Sequence, residues 1–102
     1  MRPVRAATVK QLMLPLQFWS RNFNRVHIAA SARKHGVLDV DVRHAVRWAL
    51  RRAFQGDQPT RVLFIGTDRA GRLLEVVVLD PDTDDAVAIH AMPLREKFYR
   101  FL

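Results

Sequence analysis

The stretch that most constrains this chain is Arg72 to Leu79, where Leu73, Leu74, Val76, Val77, Val78 and Leu79 form an apolar run broken by one charge, Glu75. A short apolar run bounded by turn residues predicts a buried strand. Arg61 to Gly66 just upstream predicts another, with Thr67-Asp68-Arg69-Ala70-Gly71 as the turn between them. Downstream, the acidic turn Asp80-Pro81-Asp82-Thr83-Asp84-Asp85 leads to a third strand, Ala86 to Met92. Connections this short pair strands antiparallel, so the expectation is a three-stranded meander. Pro93 suits the first turn of a final helix that would carry Leu94, Phe98 and Phe101 toward the core.

Upstream of the strands the period is helical. Asn24 is placed to cap a helix over residues 25–35, which Gly36 would end in a left-handed conformation after Arg33, Lys34 and His35. A second helix is capped by Asp39, with Asp41 in its first turn and Val42, Ala45, Val46, Ala49, Leu50 and Ala53 on its apolar face. Arg43, Arg47 and Arg51 form a stripe on its other side, and Gly56, Asp57 and Pro59 would end it. Helix, helix, three strands, helix predicts an α+β domain, with helices on one face of a small antiparallel sheet and the other face partly open.

The first 23 residues read as a basic arm, and 24–102 as one domain. Pro15 divides a helical turn at Val9–Leu14 from a short edge strand at Leu16–Trp19. Phe18, Trp19 and Phe23 are apolar enough to pack, and Met13 offers an alternative start.

Charge is unevenly spread. The formal net charge is +7, and no Asp or Glu precedes Asp39, whereas that segment holds Arg2, Arg5, Lys10, Arg21, Arg25, Arg33 and Lys34. Such a basic half favours a phosphate-rich or acidic partner. The absence of cysteine excludes a disulfide scaffold, a thiolate zinc site and a cysteine nucleophile, and fits a reducing compartment such as the cytoplasm. No apolar run reaches membrane-spanning length, and no His/Asp spacing suggests a metal.

Two segments resemble the BrnT toxins of bacterial toxin–antitoxin pairs, relatives of RelE. The first is Arg33-Lys34-His35-Gly36-Val37 followed by a helix. The second is residues 61–78, RVLFIGTDRAGRLLEVVV, followed by a return strand and the ending AIHAMPLREKFYRFL over residues 88–102. The resemblance covers about residues 25–102. It implies a RelE-like fold, metal-independent cleavage of mRNA without a cofactor, and a cytoplasmic setting. It also implies a small ribbon-helix-helix antitoxin, with DNA bound only through the complex. Met92 stands where the family carries an Arg after its last strand, and Arg95 follows three residues later.

Cleavage by attack of a 2′-hydroxyl needs proton transfer and charge stabilisation at the phosphoryl oxygens. His90, near the end of the last strand, is the first candidate for proton transfer, against a half-buried structural histidine. If Ala88 and His90 share one face, Val87 and Ile89 take the other. Arg95 and Lys97 are candidate phosphate clamps and Tyr99 a positioning group, against a solvated helix face. Glu75 would serve as a base if burial raised its pKa, or be held ionised by Arg61 or Arg72. Arg61, Arg72, Lys34, His35, Arg47 and Arg51 complete the candidate RNA contacts, with His35 better explained as a helix C-terminal cation. A non-catalytic module binding RNA or an acidic protein remains the alternative. A DNA-binding regulator lacks helix-turn-helix spacing.

Overall fold

The computed structural model describes residues 26–102. The expected turn at Val9–Leu14, the edge strand at Leu16–Trp19, the packing of Phe18, Trp19 and Phe23 and the Asn24 cap lie outside the described residues. The elements are β1 (His27–Ile28), a 3-10 turn (Ala30–Arg33), α1 (Asp39–Arg47), β2 (Arg51–Asp57), β3 (Thr60–Thr67), β4 (Leu73–Leu79), β5 (Val87–Pro93) and a C-terminal 3-10 segment (Glu96–Phe101). Together they form an α+β fold on one five-stranded sheet of order β1-β5-β4-β3-β2. Among the described residues no helix is long and apolar enough to cross a membrane.

The sheet is mixed, not purely antiparallel, and its run of antiparallel strands has four members instead of three. β2 to β5 pair antiparallel in succession, and β1 adds parallel to β5 at the far edge. The added strand β2 replaces the second half of the expected long helix. α1 stops at Arg47, the Trp48 N–H closes on the His44 carbonyl, and the Leu50 N–H donates to Ile65 of β3 at 2.7 Å. The apolar spacing of Ala49, Leu50 and Ala53 suits either period over so short a stretch. The exposed edge of β3 decides it, because it offers a ladder of backbone partners. Gly56, Asp57 and Pro59 therefore shape a hairpin rather than a helix end, and Arg51 leaves the helical stripe for β2.

The helix expected over 25–35 is also corrected. Its residues make β1 and one 3-10 turn, consistent with the weakness of the stripe Val26, Ala29, Ala30 and Arg33. Gly36 does adopt the left-handed conformation, at φ 78°. Asp39 is not the N-cap of α1. It is the first helical residue, and its carboxylate takes the Arg33 guanidinium at 3.0 and 2.8 Å. The final helix is 3-10 rather than α and carries no fully buried residue.

One face of the sheet holds the main core. Val42, Ala45 and Val46 of α1 pack with Val62 and Phe64 of β3, Leu74, Val76 and Val78 of β4, and Ala88 and Ala91 of β5. The approach is close at one point: a Cβ on Gly66 would lie 2.0 Å from the Ala45 carbonyl oxygen, so only glycine fits beneath the helix. The opposite face is partly covered by the C-terminal segment. Leu63 and Ile65 are fully buried there, and the Arg51 Nε–H, next to Ile65 across the ladder, donates to the Phe101 carbonyl at 2.9 Å.

Candidate active site around Glu75

Alternation on β4 sends Leu74, Val76 and Val78 toward α1, and thus Glu75 and Val77 to the other face. On β5 that alternation breaks. Val78 pairs Ala88, but Val77 pairs His90, so Ile89 is an extra residue in a bulge. Without the bulge His90 would share the core-facing side with Ala88. With it, His90 lies beside Val77 on the face of Glu75. The Ser31 hydroxyl donates to the Ile89 carbonyl at 2.6 Å and so ties the 3-10 turn to the bulge. That contact brings the chain after the turn alongside, and the His35 ring meets the His90 ring edge-on at 5.8 Å between centroids.

Glu75 is 0% exposed, and both of its oxygens are occupied. The Arg95 backbone N–H donates to Oε1 at 2.9 Å, while Arg95 Nε and Nη2 donate to the carboxylate at 3.1 and 2.6 Å. His90 Nε2–H donates to Oε2 at 2.8 Å. Burial alone would push the Glu75 carboxyl up. The hydrogen bonds from Arg95 and His90, with the positive charge of Arg95, outweigh it and hold the group below the usual carboxylate range. Glu75 is therefore an ionised anchor rather than a general base, and its cationic partner is Arg95, not Arg61 or Arg72. Arg61 sits opposite Leu79, away from Glu75 along the ladder, and Arg72 is held by Asp68 at 2.9 Å.

The consequence for His90 is chemical. A carboxylate accepts at Nε2–H, which leaves Nδ1 as the basic nitrogen of the neutral ring. The His90 side chain is 27% exposed, so that nitrogen belongs to a site reachable from solvent. Arg95 keeps 43% of its side chain exposed, with Nε and Nη2 directed at Glu75. Its guanidinium carbon lies 5.5 Å from the Phe98 ring centroid, and Lys97 Nζ lies 5.1 Å from the same ring. Lys97 thus flanks Arg95, and Tyr99 is exposed two residues further along. Lys34 precedes His35 on the exposed side of the 3-10 turn.

The structure therefore gathers His35, Glu75, His90 and Arg95 into one cluster, with Lys97 and Lys34 at its margin. Arg47 stands apart on α1, over the Trp48 ring, and Arg51 is spent on the carbonyls of Leu50 and Phe101. His35 is the residue the sequence undervalued: its place beside Gly36 explains it as a cap, and only the bulge in β5 turns His90 toward it. Among the described residues no group of His, Asp and Glu has the arrangement of a metal site. No family model, no curated protein and no solved structure matches this chain.

Proposed function

We propose that this protein is a metal-independent endoribonuclease that cleaves mRNA by attack of a 2′-hydroxyl, the toxin of a toxin–antitoxin pair. The observation that carries the reading is the pairing of two imidazoles, His35 and His90, beside a guanidinium that is braced by a buried carboxylate. One imidazole takes the 2′-hydroxyl proton as the oxygen bonds to phosphorus. The other, as imidazolium, gives its proton to the departing 5′-oxygen, leaving a 2′,3′-cyclic phosphate and a 5′-hydroxyl. Arg95 stabilises the charge on the phosphoryl oxygens, with Lys97 and Lys34 drawing in the backbone. Glu75 positions both His90 and Arg95.

The resemblance to BrnT toxins supports the same reading and brings with it a RelE-like fold, a cytoplasmic setting and an acidic ribbon-helix-helix antitoxin. In that alignment Arg95 takes over from the family arginine replaced by Met92. The alternative is a toxin-like module that binds RNA or an acidic protein without chemistry. Met92, and the commitment of two Arg95 nitrogens to Glu75, favour it.

The deciding experiment incubates purified protein with mRNA in the presence of a chelator and follows growth on controlled expression. Cleavage to 2′,3′-cyclic ends, lost in folded His90→Ala and His35→Ala, is the expected result. Intact RNA with a folded wild type, and unimpaired growth, overturns catalysis and leaves the binding module.

A further inference from the structure

The second feature of the molecule lies on the far side of the sheet from Glu75. Val40, Arg43, His44, Arg47, Trp48 and Arg69 line an open depression of about 230 Å³ on the outer side of α1. Trp48 is 49% exposed, and the Arg47 guanidinium lies 5.3 Å from its ring centroid. Three arginines meet here. The Arg43 Nε–H donates to the Val26 carbonyl at 3.1 Å, which orients the side chain without neutralising it. Arg69 pairs with Asp41 at 2.8 Å, which docks the β3–β4 turn on the first turn of α1. The His44 Nδ1–H donates to the Thr67 carbonyl at 2.6 Å, so Nε2 of the neutral ring is an acceptor.

A half-exposed indole offers a flat apolar plate on which a planar base can stack, and the Arg47 guanidinium beside it carries the charge to meet a neighbouring phosphate. Cations around a single aromatic plate match phosphates on either side of a stacked base. We infer that this depression is a binding site for single-stranded RNA, in which one base stacks on Trp48 and the flanking phosphates meet Arg43, Arg47 and Arg69. This deepens the RNA reading above and rests on it for the identity of the polymer. The sheet separates the two sites, so this one grips the strand away from the reacting phosphate.

The test uses the full chain carrying Trp19→Phe, so that Trp48 is the sole indole, and a single-stranded RNA oligomer fully 2′-O-methylated so that it cannot be cleaved. Quenching of Trp48 fluorescence on titration is expected. Trp48→Ala should weaken binding by about 5- to 150-fold, with Trp48→Phe recovering much of it. Arg47→Gln should flatten the dependence of log affinity on log salt by about 0.7. Unchanged affinity and salt slope in folded Trp48→Ala and Arg47→Gln overturns the site. Quenching by poly-glutamate but not by the oligomer overturns it in favour of an acidic protein partner. A reporting indole with no cleavage of unmodified RNA keeps this site and removes the catalytic proposal, and cleavage with a silent indole does the reverse.

Discussion

A carboxylate in a sheet interior costs several kcal/mol unless its lone pairs are filled, and at Glu75 they are filled by Arg95 and His90. That saturation separates the roles of neighbouring residues. If His90 and His35 transfer protons as proposed, alanine at either should lower the cleavage rate by roughly 100- to 10,000-fold, read as initial rates on a defined RNA with unfolding curves as a control. In the same proposal Glu75 acts through others. Glu75→Gln should lower the rate by misplacing His90 and Arg95, with the pH profile of the remaining cleavage displaced as imidazole nitrogen shifts followed by NMR report the changed His90 environment. Gly66 has a different kind of constraint, since any Cβ meets the Ala45 backbone. Gly66→Ala should cost about 3 kcal/mol in denaturant unfolding by forcing α1 off the sheet.

The C-terminal segment has a localised attachment. Among the described residues, polar ties from Arg95 to Glu75 and from Arg51 to the Phe101 carbonyl hold it on the sheet, and it buries no residue fully. Arg95→Gln should therefore release residues 96–101 before the sheet unfolds, seen as faster amide exchange confined to that segment. Pro93 and the spacing of Leu94, Phe98 and Phe101 predict an α-helix for this segment. The segment is tethered at both ends of a short span, and 3-10 geometry reaches further per residue than an α-helix. A similar competition ended α1 early. Periodicity is a local signal, and over Ala49 to Ala53 it does not distinguish a helix from a strand whose partner is already in place.

At the scale of the molecule the ion pairs set an acid limit. Glu75 and Asp68 are buried, and both titrate below the usual carboxylate range. At Glu75 the bonds from Arg95 and His90 overcome burial. At Asp68 the Arg72 backbone N–H, despite the opposing effect of burial, and the Arg72 and Ala70 bonds do the same. Carboxyls depressed in the folded state stabilise it above their unfolded values of about 4, and that contribution is lost as pH falls through the folded values. The unfolding midpoint should thus drop from pH 5 toward pH 2, and the drop should be shallower in Glu75→Gln with Asp68→Asn. What the sequence alone determined was the hydrophobic framework: β3, β4 and β5 follow from apolar runs and turn residues, Gly36 and the start of α1 from local backbone chemistry, Glu75 and His90 from being polar where apolar residues prevail, and Arg95 from the basic cluster that follows the last strand. The tertiary structure alone decided which of these meet. A one-residue bulge reverses the face of His90, a free strand edge converts a helix into β2, and a chain turn far upstream brings in His35. Each depends on partners distant in sequence, whose hydrogen bonds and close contacts exist only once the sheet is assembled.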